Sequence, residues 1–273
     1  MKDIKTLLKL EWEKTFWNGS FRAIIATYTL LFLMVVLIGS QVGLNINGVR
    51  VDKLFVFPHV WQTLSWIASW FNLLLGILMI VLVTSEFQFR TFRKQLIDGI
   101  SRPQLLIAKG GVAVILALFV VAITLTTAIT TGLLMGNAEQ VSAFSGIEIL
   151  LVLFIQALAY LVLGILISFS VKNTALSILS FILLFFPIEP IIRAFFSSET
   201  GAFFPMKSIS DLTPMPDFFG IAAGDLIQIN QQFTPEGVAI NEPTISWIST
   251  ITVVIYIALF SLALRAIVAK RNF

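Results

Sequence analysis

The chain has 273 residues, of which 58% are hydrophobic and only 12% are charged, and its formal net charge is +3. Soluble domains average about 25% charged residues, so this composition excludes an ordinary soluble enzyme and predicts a polytopic membrane protein. Cysteine is absent, which excludes a disulfide framework or a thiolate metal site, and the one histidine is His59.

Residues 1–21 predict an amphipathic helix lying in the membrane interface. Apolar residues recur on one face at roughly helical spacing: Ile4, Leu7, Leu8, Trp12 and Phe16. Charged residues lie on another face, at Lys5, Lys9 and Glu13. Tryptophan side chains are favoured at the depth of the lipid headgroups. No compact apolar region with a small-residue cleavage site follows, so we do not expect a cleaved signal peptide.

Six later segments predict membrane spans, since each approaches or exceeds the roughly 20 apolar residues that a spanning helix needs. They are 22–41, 62–84, 109–135, 147–170, 174–193 and 245–267. The prediction is therefore an all-α polytopic membrane protein, with residues 1–273 forming a single transmembrane domain. In the fifth span Pro187 bends the helix, and Glu189 could pair with Arg193 four residues on. A frayed end with an interfacial ion pair is favoured there, and a functional gate is the alternative.

Basic residues predict the orientation of these spans. With six spans, the two termini, the connection at 85–109 and the turn at 171–174 share one side, which holds 14 of the 18 Lys and Arg residues. The positive-inside rule therefore predicts a multi-pass plasma-membrane protein with both termini in the cytoplasm. The extracytoplasmic segment 194–244 is rich in phenylalanine, and we expect short helices there at the outer interface.

Several catalytic motifs are absent. There is no GxxxxGK(S/T) loop, so the chain does not bind ATP in the P-loop manner. One histidine excludes a zincin site, and a Ser–His–Asp triad would require His59, which is better explained as an interfacial residue at the start of the second span. The spans contain no acidic pair, which argues against an intramembrane aspartyl protease. We therefore predict no catalytic residue and no metal site.

Threonines mark one face of the third span: Thr124, Thr127 and Thr131. Threonine lets helices approach closely and can bond to the carbonyl four residues before it, so helix packing is favoured. The alternative is a polar lining for a translocation path.

The densest charge lies at 86–109, EFQFRTFRKQLIDGISRPQLLIAK, between the uncharged stretches 54–85 and 110–138. Arg90, Arg93 and Lys94 fall at i, i+3 and i+4, which places them on one helical face. Phe87, Leu96 and Ile97 are expected to supply apolar contacts, with Phe89 and Phe92 closer to the basic side.

A turn divides this block. Asp98-Gly99 is a strong turn signal, and Ser101 can cap the next helix, with Pro103 in its first turn. The pattern predicts a cytoplasmic helix–turn–helix element over 85–106. Such an element could fix topology alone, but its aromatic residues and tight turn favour docking to a partner.

The block resembles the permease subunits of ABC-2 type (type V exporter-like) ATP-binding-cassette transporters. In that family the second span often ends in a glutamate, a basic stretch with a threonine follows, and a lysine begins the third span. The residues in matching relative places are Glu86, Thr91, Leu96, Gly99, Ser101, Arg102 and Lys109. The six spans, the cytoplasmic termini and the amphipathic N-terminal helix also match the family layout.

The resemblance implies a half-transporter that pairs with a second permease copy or a paralogue and docks two copies of a separate ABC ATPase subunit. It implies no cofactor in this chain, with ATP and Mg on the partner ATPase, a membrane-lipid environment and no nucleic-acid partner. Arg90, Arg93, Lys94 and Arg102 would contact the ATPase, and Glu86 would position the loop. The full docking set is Glu86, Arg90, Thr91, Arg93, Lys94, Asp98, Gly99, Ser101 and Arg102.

Two other functions stay open on sequence alone. The chain could be an ion-coupled secondary carrier, although proton relays normally need ionisable groups inside the membrane. It could also be a non-transporting membrane scaffold for a cytoplasmic partner. No sequence feature identifies a substrate.

Overall fold

The computed structural model describes residues 4–41, 45–46, 49–50, 54–135, 144–216 and 246–270. The helices before the fifth span are α1 Ile4–Phe16, α2 Gly19–Gln41, α3 Val60–Gln88, α4 Thr91–Ile97, α5 Arg102–Met135 and α6 Ile149–Val171. The later ones are α7 Thr174–Leu183, a π-helical turn at Leu184–Ile188, α8 Glu189–Arg193, α9 Ser198–Gly201, α10 Pro205–Ser210 and α11 Trp247–Lys270. Within the described ranges the β-structure is one short antiparallel pair, β1 Asn45–Ile46 and β2 Val49–Arg50.

Six helical segments are long and apolar enough to cross a membrane: α2, α3, α5, α6, Thr174–Arg193 and α11. Each coincides with a predicted span. The largest difference is at α5, which begins at Arg102 rather than at 109 because the helix continues past the apolar region. Apart from the short β pair the described residues form helices and their connections, which confirms the all-α fold class, and the six segments indicate a multi-pass membrane protein.

Helices α3 and α6 form the centre of the bundle. About 61% of the apolar window of α3 and 72% of that of α6 is buried inside the chain, against 22% for α2 and 17% for α11. The exposed faces of α2 and α11 carry leucine, isoleucine and valine. Such faces suit contact with lipid tails, so α3 and α6 are the spans surrounded by protein.

The two central helices approach each other at a pair of glycines. A Cβ atom built on Gly164 of α6 would lie 2.8 Å from the carbonyl oxygen of Gly76 on α3. Real Cβ atoms do not come so close to backbone atoms, so any larger residue at this position pushes the helices apart. Small residues at such crossings are the usual means of close packing between membrane helices.

Replacing Gly164 by alanine is therefore expected to lower the free energy of unfolding by about 1–3 kcal/mol through overpacking. Thermal unfolding in detergent measures the effect. Gly110→Ala on α5 is the matched control, because nothing lies within 4 Å of its Cβ position. Alanine has the higher helix propensity, so the control is expected to be neutral or stabilised by up to about 1 kcal/mol. Equal destabilisation of the two variants would contradict the close approach.

The fifth span is interrupted, as Pro187 suggests, by the π-helical turn at Leu184–Ile188. The expected pair between Glu189 and Arg193 is not formed. The carboxylate of Glu189 instead accepts hydrogen bonds from the backbone N–H groups of Met206 (2.8 Å) and Lys207 (2.6 Å). The first N–H groups of a helix have no partner inside the helix, so a buried carboxylate stabilises the start of α10.

Residues 194–216 fold over the end of the bundle opposite α4. Short helices are present there, as expected, but residues 217–245 of the predicted segment lie outside the described residues. Gln156 of α6 donates hydrogen bonds to the carbonyl of Ile209 (2.9 Å) and to Thr213 Oγ1 (3.0 Å). Its own amide oxygen accepts from Asn72 Nδ2 of α3 at 3.1 Å. This buried amide pair ties the segment to both central helices.

Candidate functional site

The connection between α3 and α5 is built from two sharp backbone turns around α4. Arg90 has φ 55°, a left-handed conformation that separates α3 from α4, and Gly99 has φ 87° in the turn that follows α4. Ser101 then caps α5, since its N–H donates to Gln104 Oε1 (2.9 Å) while Gln104 N–H donates to Ser101 Oγ (3.4 Å). This reciprocal pair is a capping box, and it bears out the helix start expected at Ser101.

Helix α4 is fixed to the bundle by one aromatic side chain. Phe92 is 2% exposed, and its ring centroid lies 4.6 Å from that of Phe87 and 5.3 Å from that of Phe169 on α6. Sequence patterns predicted Phe92 near the basic side and Ile97 against the protein. In the structure Phe92 is buried and Ile97 faces outward. Ile97 is 76% exposed. The left-handed residue at Arg90 rotates α4, so the helical periodicity of α3 does not continue through it.

The outer face of α4 combines positive charge with exposed apolar groups. Arg90, Arg93 and Lys94 are exposed, and no acidic residue of the described chain forms an ion pair with them. Phe89 and Ile97 lie on the same connection, 80% and 76% exposed. An arginine-rich face with large apolar anchors has the composition of a protein-docking surface.

The other predicted docking residues take different positions. Thr91 is half-buried at the start of α4, and Asp98, Gly99 and Ser101 are exposed at the turn. Arg102 is partly engaged inside the chain, since its Nη1 donates to the carbonyl of Ala269 at 2.7 Å. It thereby satisfies a carbonyl at the end of α11, where a positive charge is favourable, and joins the start of α5 to the last span.

A buried charge cluster lies behind α4. Lys109 Nζ of α5 donates to Glu11 Oε1 of α1 and to Glu86 Oε1 of α3. Lys14 also donates to Glu86 Oε1, and its Nζ lies 3.8 Å from Glu11 Oε1. The exposed fractions of Glu11, Glu86 and Lys109 are 5%, 4% and 3%. Two ammonium groups therefore balance two carboxylates, which is what allows charges to remain buried.

This cluster joins α1 to the bundle. Sequence patterns indicated Glu86 and Lys109 as functional residues, but they did not indicate Glu11 or Lys14. Leu7 of α1 packs with Ile100 and Ala108, and Leu8 occupies the space left open by Gly111 on α5. Helix α1 therefore packs directly on the protein, and its placement in a lipid interface stays a prediction. Helix α1 is thus bonded to α5 through Glu11 and to α3 through Lys14.

Acidic pH is expected to weaken the attachment of α1 to the bundle. Burial alone would raise the pKa of the Glu11 carboxyl, but Lys109 and Lys14 outweigh it and lower that pKa below the ordinary 4.5. The folded pKa thus lies below the unfolded one, so Glu11 stabilises the folded state above about pH 4.5 and this contribution is lost as the pH falls through the lowered value.

Thermal unfolding midpoints of the wild type and of Glu11→Gln, compared from pH 7 to pH 3, test this. The variant is expected to be less stable at pH 7, and the difference is expected to shrink below about pH 4.5 because the wild-type carboxyl becomes neutral. Glu13→Gln is the control, since Glu13 is exposed and lies 4.0 Å from Lys9. A wild-type advantage over Glu11→Gln that stays constant across this range would contradict the role of the Glu11 charge.

The threonine face of α5 lies inside the bundle. Thr124, Thr127 and Thr131 are all buried, and Thr127 Oγ1 donates to the carbonyl of Ile123 on its own helix at 2.7 Å. Burial between packed helices supports the packing interpretation of these residues. Their role as the lining of a translocation path stays a prediction.

Comparison with known proteins gives no family assignment: no protein-family model matches the chain, and no curated protein matches its sequence. The parts of the structure that bear on function are the helix bundle and two features at one of its ends. These are the exposed face of α4 and the buried cluster behind it.

Proposed function

We propose that this chain is the permease subunit of an ATP-binding-cassette exporter of the ABC-2 type. The observation that carries the proposal is the α4 face, where Arg90, Arg93 and Lys94 have no acidic partner within the described chain and lie beside exposed Phe89 and Ile97. A surface of this kind, clamped to the bundle by one buried aromatic ring, suits the docking of a separate ATPase.

Movement of a docked ATPase would reach the spans through contacts that surround α4. Phe92 transmits it to α3 and α6, because its ring packs on Phe87 and Phe169. The ion pair between Glu86 and Lys109 holds α3 to α5, and Arg102 holds α5 to α11. A push on α4 therefore acts on four of the six spans at one level of the bundle.

The complete transporter would contain two permease chains, as two copies or as a copy with a paralogue, and two ATPase subunits that carry ATP and Mg. In this arrangement α4 and both termini face the cytoplasm of a plasma-membrane protein, which agrees with the basic-residue bias. The chain itself carries out no chemistry, and it couples ATP hydrolysis by its partner to movement of a substrate.

Charge reversal on α4 tests the proposal. Arg93→Glu with Lys94→Glu, co-expressed with a candidate ABC ATPase subunit that the wild-type chain retains, is expected to weaken co-purification at least about 10-fold, because reversed charges on a docking face repel a surface that complements the original ones. ATP-driven export should fall with it. Lys5→Glu with Lys9→Glu, two exposed positions on α1, is the control and is expected to retain the ATPase. Unchanged association and export in the α4 variant would overturn the docking role.

Reconstitution separates this proposal from its alternatives. The purified chain alone in liposomes is expected to transport nothing, and transport should require the ATPase and ATP. Uptake by the chain alone under an ion gradient would identify a secondary carrier. Stable ATPase binding without any ATP-dependent movement would identify a scaffold.

A further inference from the structure

A cavity of about 330 Å³ lies between α4 and the end of α6. Three of its lining side chains are cationic, Arg90, Arg93 and Lys172, and Phe87 forms an aromatic wall. Lys172 follows directly after α6, and its Nζ lies 5.6 Å from the centroid of the Phe87 ring. The cavity is large enough for a small ligand and is positively charged along most of its polar rim.

The lengths of the helices place this cavity at the level of lipid headgroups. The 23 residues of α6 span about 35 Å, only slightly more than the roughly 30 Å hydrocarbon core, so Lys172 stands just outside that core. Glu86 is likewise the first charged residue after the uncharged stretch 54–85. Cations clustered between helices at this depth meet the phosphates of the surrounding lipids.

Glu86, which lines the cavity, places a second requirement on a ligand. Glu86 Oε1 accepts from Lys14 and Lys109, but Glu86 Oε2 is buried and has no hydrogen-bond partner among the described residues. A buried carboxylate oxygen without a donor is costly, so the site favours a ligand that brings one. Since Glu86 lines the cavity, a ligand held there lies beside the residue that carries this unpaired oxygen.

We infer that this cavity binds the headgroup of phosphatidylethanolamine. Its phosphate lies against Arg93 and Lys172, with Arg90 at the rim, and its ammonium group donates to Glu86. Phosphatidylcholine carries the same phosphate and the same net charge, but its quaternary ammonium has no N–H to donate. The site shares Glu86, Arg90 and Arg93 with the proposed docking set, whereas Lys172 lies outside that set. Its test therefore uses the purified chain without the ATPase.

Native mass spectrometry of the purified chain with equal amounts of the two lipids tests the inference. The wild type is expected to retain phosphatidylethanolamine about 10-fold more than phosphatidylcholine, the ratio that one charged hydrogen bond confers. Arg93→Gln with Lys172→Asn should lose this retention about 10-fold. Asparagine is chosen because Lys172 has φ 61°, a left-handed conformation that asparagine tolerates. Lys94→Gln, a cation on the same helix outside the cavity lining, should keep it.

Three outcomes of this binding experiment would overturn the inference. The first is equal retention of the two lipids, and the second is unchanged retention in the double variant despite a wild-type unfolding midpoint. The third is displacement of the lipid by millimolar inorganic phosphate, which would make the site one for free phosphate. A photo-crosslinking residue at Gln88, which also lines the cavity, adds a check in membranes that contain the ATPase. Lipid adducts are expected, and crosslinking to the ATPase instead would assign the cavity to protein docking.

Discussion

Replacing Lys109 by methionine is expected to lower the free energy of unfolding by about 3–5 kcal/mol, the loss typical when one partner of a buried ion pair is removed. Methionine keeps the length of the side chain but removes the ammonium group. Glu11 and Glu86, both almost fully buried, are then left facing each other with only Lys14 to compensate. Helix α1 should detach from α5 first, because Glu11 makes the one buried ion pair between these two helices among the residues that the structure describes.

Unfolding by heat or denaturant in detergent measures this loss. Lys9→Met is the control, since Lys9 is exposed and lies 4.0 Å from Glu13, and it is expected to change stability by less than about 0.5 kcal/mol. Adding Glu11→Gln and Glu86→Gln to Lys109→Met removes the uncompensated charges and should recover much of the loss. If Lys109→Met proves as mild as Lys9→Met, the cluster does not hold α1.

Replacing Gln156 by leucine is expected to lower the free energy of unfolding by about 2–4 kcal/mol and to free the segment around α10. Leucine has a similar volume but cannot donate to Ile209 or Thr213. It also removes the acceptor of Asn72, whose amide is fully buried in α3. Several polar groups then lie in an apolar environment without partners.

The absence of cysteine from the chain makes this effect directly measurable. Ser208→Cys places one thiol in α10, at a buried position, and a water-soluble maleimide reports its exposure. Adding Gln156→Leu is expected to raise the labelling rate at least about 10-fold, the change that 1.4 kcal/mol of local opening produces. Thr126→Val is the control, because Thr126 Oγ1 bonds only to carbonyls of its own helix. Unchanged labelling would show that Gln156 does not anchor the segment.

Elements set by local chemistry were predictable from the sequence. The predicted spans follow from the length of uninterrupted apolar sequence, and all six segments appear as helices long and apolar enough to cross a membrane. The turn at Gly99 and the cap at Ser101 follow from backbone preferences and from side-chain bonds within four residues. The direction of Phe92 was not predictable in the same way, because it depends on the left-handed backbone of Arg90.

Contacts between residues far apart in the chain could not be predicted from the sequence. Glu11 and Lys109 are 98 positions apart, and each resembles an ordinary charge near a membrane interface. A weak indication existed, since Leu7, Glu11 and Thr15 recur every four residues and form the buried face of α1. Sequence patterns did not indicate Gln156 either. The available signal was an isolated amide inside an apolar span, where polar residues usually have a specific partner.

Helix α5 runs without a break through 34 residues, from Arg102 to Met135. Such a helix is about 51 Å long, so pivoting it by about 10° near one end displaces the other end by about 9 Å. The ion pairs of Lys109 and the hydrogen bond from Arg102 all lie within the first eight residues of this helix. If the proposed function holds, a small tilt imposed on α5 at the α4 end of the bundle therefore becomes a displacement of several ångströms at its Met135 end.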